Sequence, residues 1–176
     1  ESIGELYYAC NENRLIEAKG FGLKTQEEIK KVIEFKMAAD GKFLYAQAEP
    51  IINELYQKLS VWLAKVDHHS LFGIAGEYRR LCEIIEETVL VIGTENPDVV
   101  LTELINLELG FVETSTNVFT TQQENGLNIK LFIVQKANFY LDYFRLTGSE
   151  VHVNQVLALA GNSIFKSEEE IYAKAG

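Results

Sequence analysis

The sequence predicts an α+β fold, and three observations lead to it. Apolar residues recur at helical spacing over roughly the first 66 residues and again after about residue 135. Between these stretches the period changes to that of strands. One helix-start signal, Asn96-Pro97, interrupts the strand run. The layout is helices, a small mixed sheet with a crossover helix, and helices again.

From the N-terminus to about Asp40 the chain reads as helical. Ser2 with Glu5 and Thr25 with Glu28 both fit the S/T-x-x-E capping box, and Ile29, Val32, Ile33 and Met37 follow the second at helical spacing. Between them, "AKGFGLKT" sets two glycines around one apolar residue just before a helix, which predicts a tight hairpin between two helices. Residues 43–66 form a long amphipathic helix, in which Pro50 is tolerable near a helix start or at a kink. Strands are predicted over 70–75, 86–93, roughly 110–119 and 127–134. The crossover helix begins with Asn96 as N-cap and Pro97 at the first helical position. The last third returns to helix, with Ser167 and Glu170 as a third capping box.

With 176 residues, 47% of them hydrophobic, the chain can build one medium core or two small ones. No window approaches the apolar length that spans a bilayer, and "ESIGELYYAC" has neither a basic n-region nor a cleavage signature, so the expected setting is cytoplasmic. Without an initiating Met, the chain is expected to be a piece of something longer. Cys10 and Cys82 lie far apart, outside any CxxC or His-rich context, and suit buried thiols in a reducing compartment. Adjacent His68 and His69 beside Asp67 are too few ligands for a structural metal. A formal charge of −10 argues against coating nucleic acid by bulk electrostatics. The charge is uneven: residues 1–42 hold seven basic side chains against eight acidic ones, which leaves about −9 for the remainder. A nucleic-acid contact is therefore sought at the N-terminal end.

In "IEAKGFGLKTQEEIKKVI", Gly20 and Gly22 let the backbone turn with its amides outward, while the next helix brings its positive N-terminus to the same place. A DNA phosphate is the natural ligand, with Lys19 and Lys24 adding charge without reading sequence. A plain αα-hairpin with glycine at a helix C-cap is the structural alternative. The whole stretch, Lys19, Gly20, Phe21, Gly22, Lys24 and Thr25 included, resembles the helix-hairpin-helix motif. That resemblance implies binding of DNA backbone without sequence preference, with a monovalent cation often held by hairpin carbonyls.

A helix-hairpin-helix, a long helix and then "GEYRR" together resemble a bacterial-type family X DNA polymerase. "DYFRLTGSEVHVNQV" is similar to the segment where palm meets thumb in that family, with Arg145 and Leu146 inserted before Thr147-Gly148-Ser149. "SEEEIYAKAG" is similar to the closing thumb motif, after an interval between Leu159 and Ile164 shorter than the family's. The resemblance implies a helix-hairpin-helix segment over 1–42, a nucleotidyltransferase palm over 43–134 and a thumb remnant over 135–176. It also implies a DNA repair or replication role in a bacterial parent chain with an upstream lyase-type domain and a downstream phosphoesterase-type domain.

The family's reaction is two-metal phosphoryl transfer, in which two Mg²⁺ ions are bridged by three aspartates. Two of these alternate on one strand and the third comes from its neighbour, since residues two apart share a face. With Gly76 on the family's glycine, Arg79 and Arg80 are kept, and the resemblance makes them, with Thr147, Gly148 and Ser149, the remnant of a nucleotide site; in so acidic a segment, pairing of the two arginines with nearby glutamates is the safer reading. The serine that grips triphosphate is Glu77, and the metal-binding positions fall on Glu87, Val89 and Lys130. A one-residue slip pairs Glu86 with Thr88 and restores no carboxylate pair. The expectation is a pseudoenzyme that binds DNA, with no catalytic residue, no metal and no cofactor of its own. An active gap-filling polymerase and an interaction scaffold without DNA binding are the alternatives. If Glu87 and Lys130 face each other on adjacent strands, the ammonium takes the place of the metal's charge; the alternative is that both side chains point to solvent.

Overall fold

A computed structural model of the chain describes residues 2–38 and 41–176. The chain divides into two compact units, Glu1–Asp40 and Gly41–Gly176.

In the first unit, helix α1 (Ile3–Asn11) opens on a complete capping box: the Ser2 hydroxyl accepts from the Glu5 amide, and the Glu5 carboxylate accepts from the Ser2 amide. The predicted helix does not run on to the glycines. Asn13 turns left-handed at φ 58°, which asparagine tolerates, and only a short 3-10 turn (Leu15–Glu17) precedes the hairpin. Helix α2 (Leu23–Ala38) starts two residues before Thr25, because the Gly22 carbonyl takes the first helical bond, from the Gln26 amide at 3.0 Å. Thr25 therefore sits inside the first turn and does not cap it. Buried Gln26 ties the turn together: its Nε2 donates to Asn13 Oδ1 (2.8 Å) and its Oε1 accepts from the Ile16 amide (3.3 Å). Cys10 and Ile33 are the buried apolar side chains among the described residues of this unit.

In the second unit, a two-residue strand β1 (Phe43–Leu44) leads into α3 (Tyr45–Val66). There follow β2 (Leu71–Ala75), α4 (Gly76–Arg79), β3 (Ile84–Ile85), β4 (Glu87–Thr94) and α5 (Pro97–Asn106). Then come β5 (Val112–Ser115), β6 (Val118–Gln122), β7 (Asn128–Gln135), α6 (Phe139–Thr147), α7 (Glu150–Ala160) and α8 (Glu168–Ala175). The main sheet has the order β2-β4-β7-β6-β5; β4 and β7 run parallel and the other pairs antiparallel. β1 and β3 form a separate two-stranded ribbon. The α+β class is thus observed, with a mixed sheet.

The strand predicted near 110–119 is two strands. Asn117 takes φ 60° and folds β5 back on β6, a turn that alternation alone does not signal. Pro97 begins α5 as expected, but the Asn96 side chain makes no capping bond; the Thr94 hydroxyl instead accepts from the Asn96 amide. At α8 the Ser167 hydroxyl caps the Glu170 amide, while the Glu170 carboxylate reaches Lys166 and leaves the box half made.

β4 is buried on both faces. On one, Leu90 and Ile92 pack with the α3 stripe Ile52, Leu55, Leu59 and Leu63 and with α5 residues Val100 and Leu104. On the other, Val89 and Val91 meet Phe139 of α6. This second face carries the candidate site. Two glycines there make room for aromatic rings: a methyl group at Gly73 would lie 2.8 Å from the Tyr143 ring, and one at Gly93 2.7 Å from Phe139. On β2, an edge strand, the Tyr143 hydroxyl donates to the Ile74 carbonyl (2.9 Å).

Asp67 ends α3 and fastens it to β4. Its carboxylate accepts from the hydroxyls of Thr94 (2.5 Å) and Ser70 (2.7 Å) and from the His69 amide (3.1 Å). These bonds, Thr94's foremost, hold the carboxyl below its ordinary pKa. A depressed carboxyl contributes stability above its unfolded pKa of about 3.9 and loses it as pH falls through the lower native value. Asp67→Ala is expected to cost about 1 kcal/mol near neutrality, with the gap to the parent closing in acid. Urea unfolding along a descending pH series checks this.

Candidate functional site

The hairpin of the first unit is built on backbone. Gly20 adopts φ 100°, and the Phe21 amide closes the turn on the Ala18 carbonyl at 3.1 Å. Neither Gly20 nor Gly22 has an atom within 4 Å of where a side chain would begin, so the backbone there is open to a ligand. Leu23, Lys24 and Thr25 lead α2, where the first amides of a helix have no partner within it. Lys19, Phe21, Lys24 and Thr25 are all exposed around this tip. The structure thus gathers the six predicted residues at one turn.

In the second unit Gly76 links β2 to α4 with φ 68°, and a methyl group there would lie 3.1 Å from Val89 Cγ2. The glycine is needed for both reasons. The two arginines that follow converge on Thr147, at the end of α6. Arg79 donates to its hydroxyl (3.1 Å) and Arg80 to its carbonyl (2.5 Å). Arg79 also forks onto the Glu168 carboxylate (2.9 and 2.5 Å) and lies 4.2 Å over the Tyr143 ring. Glu168 foremost raises the Arg79 pKa. Gly148 lets α7 close in, since a methyl group there would sit 2.6 Å from Val153 Cγ2, and Ser149 occupies the α7 N-cap. A cavity of about 300 Å³ lies among Arg79, Thr147, Gly148, His152 and Tyr172. The predicted arginines and the Thr147-Gly148-Ser149 segment are therefore neighbours across 67 residues of sequence.

Glu87, Val89 and Lys130 also meet. Val89 and Lys130 are direct partners in the parallel register, with Glu87 two residues before Val89 and on its face. Lys130 Nζ lies 3.9 Å from Glu87 Oε2, the facing arrangement that the sequence left open, with both side chains partly exposed. Glu77 turns its carboxylate onto the start of β4, where Oε2 accepts from the Glu86 amide at 2.7 Å and the Glu87 amide at 3.5 Å. The Glu86 side chain pairs with Lys42 at 3.3 Å. These residues do not fit a two-Mg²⁺ centre: Val89 offers no donor, and Lys130 brings positive charge where an anionic oxygen is required.

No family model matches the sequence, and no curated protein matches it. Among the described residues no helix is long and apolar enough to cross a membrane.

Sequence reasoning missed Glu168 as the partner of Arg79, Gln26 as the clamp behind the hairpin, and Glu77 as an acceptor for backbone amides. The run Glu168-Glu169-Glu170 is the one visible hint, since three carboxylates opening a helix leave one free to reach outward.

Proposed function

We propose that the chain binds DNA through its backbone, without sequence preference, on a family X polymerase-like frame that does not itself transfer nucleotides. The open glycine hairpin carries the reading: two unobstructed glycines and the amides that start α2 lie between Lys19 and Lys24, an arrangement suited to a phosphate and blind to base identity. The acidic second unit takes no bulk electrostatic part in this. The valine and lysine in register near the starts of β4 and β7 support the absence of nucleotidyl transfer. The parent protein then works in DNA repair or replication.

Fluorescence anisotropy with a labelled gapped duplex tests the binding. Affinity should fall with rising salt, with a log–log slope of about −2 to −3 for two or three phosphate contacts. Lys24→Glu should weaken binding at least about tenfold, because it places a like charge at the phosphate. Absence of binding even at low salt would leave the interaction scaffold as the surviving reading. Metal-dependent insertion of a nucleotide into the gap would restore the active polymerase.

A further inference from the structure

Beyond Glu150, helix α7 carries no charged residue. Its inner face is Val153 and Ala160, with half-buried Val156 and Leu157, in one cluster with Phe165 and Ile171. The opposite face holds Val151, Asn154, Gln155, Ala158 and Leu159, all exposed and at helical spacing. From Val151 to Phe165 there is no Asp, Glu, Lys or Arg, the longest such run in the chain, although residues 41–176 hold eighteen acidic and ten basic side chains. Among the described residues after Val112, the large apolar side chains left exposed are Val151 (68%), Leu159 (72%), Ile164 (65%) and Tyr172 (48%). All of them lie on α7, just after it, or on α8. A surface helix ordinarily turns charged side chains to water, and a second uncharged face is what a helix has when something covers it.

We propose that this outer face of α7 is the contact surface for a second copy of the chain, with the two helices antiparallel across a two-fold axis. The stripe is its own complement. Gln155 lies midway between Val151 and Leu159, so an antiparallel mate sets Val151 against Leu159 and Gln155 against its twin. A carboxamide both donates and accepts, so Gln155 bonds its own copy and needs no other group. Charge favours the same occupant: two copies of so acidic a unit repel wherever carboxylates meet, and the uncharged stripe is where that cost is lowest. A basic partner would be drawn instead to the carboxylates elsewhere on the unit. The eleven residues of α7 make a helix about 16 Å long and about 10 Å wide, a footprint well below the roughly 800 Å² per partner of a stable interface. The pair is therefore reversible, with a dissociation constant between about 1 µM and 1 mM. It involves no DNA and stands apart from the hairpin.

Sedimentation velocity of the full chain, without DNA and over that concentration range, tests it. The sedimentation coefficient should rise toward that of a dimer and no further, and added salt should strengthen association by screening the net repulsion. Gln155→Glu keeps the side-chain length at an exposed position and sets two carboxylates face to face on the axis; the dimer should weaken at least about tenfold. Val151→Lys and Leu159→Glu should each weaken it as well. Combined in one chain they should restore it at least in part, because each lysine then meets a glutamate of the other copy. Circular dichroism of each variant confirms that the helices are intact. A parent that stays monomeric at every concentration would overturn the proposal. So would association beyond the dimer, a dimer indifferent to Gln155→Glu and Leu159→Glu, or a double variant no stronger than the single ones.

Discussion

Gly93→Ala is expected to lower the unfolding free energy by about 2–3 kcal/mol, a cost of overpacking. The added methyl would lie 2.7 Å from the Phe139 ring and 2.8 Å from Phe139 Cβ. A ring can rotate, but a Cβ moves only with its backbone, so α6 would have to lift from the sheet. Phe139 is buried and joins Val89 and Val91 in the cluster behind the candidate site. Gly73→Ala provides the internal comparison: its methyl meets only the far end of the Tyr143 side chain, at 2.8–2.9 Å. That ring can swing aside at the loss of its bond to the Ile74 carbonyl, and the cost should be smaller. Urea unfolding of the two variants checks the order, and a Gly73→Ala variant weaker than Gly93→Ala would contradict the account.

Arg79→Met should cost about 1–3 kcal/mol and loosen α8. The arginine joins Thr147 to Glu168, a residue 89 positions away, and its removal leaves the Glu168 carboxylate, only 20% exposed, without its partner. Partial exposure of both side chains keeps the loss below that for a fully buried pair. Glu168→Gln should weaken the same contact less, because an amide oxygen can still accept from the guanidinium. Hydrogen exchange across Glu168–Ala175 reads the effect directly, and unchanged protection there would show that other contacts hold the helix. Loss of α8 would also open the cavity beside His152 and Tyr172, which are joined at 2.9 Å.

What could be read in advance depended on how far each signal reaches along the chain. The Ser2–Glu5 box, Pro97 at the head of α5 and the alternation through β7 each involve neighbours a few residues apart, and all three appear in the structure. The hairpin was legible for the same reason, since two glycines and the helix behind them act within one turn. The limits of local reading show at Thr25, which fits a capping box yet lies within α2 because the Gly22 carbonyl accepts the helix's first bond. They show again at Asn117, where one left-handed residue divides a run that alternates like a single strand.

For the candidate site, residue type alone indicated that Val89 and Lys130 offer Mg²⁺ no anionic oxygen. The sequence by itself therefore determined the order of helices and strands, the glycine turn and the character of the side chains on β4 and β7. Only the tertiary structure decided who touches whom. It set Val89 against Lys130 through the parallel register, brought Glu168 to Arg79, turned Glu77 onto the amides of β4 and placed aromatic rings over Gly73 and Gly93. The physical reason is that capping and alternation are properties of adjacent backbone, whereas ion pairs and ring packing depend on chain segments that meet only after the sheet has formed.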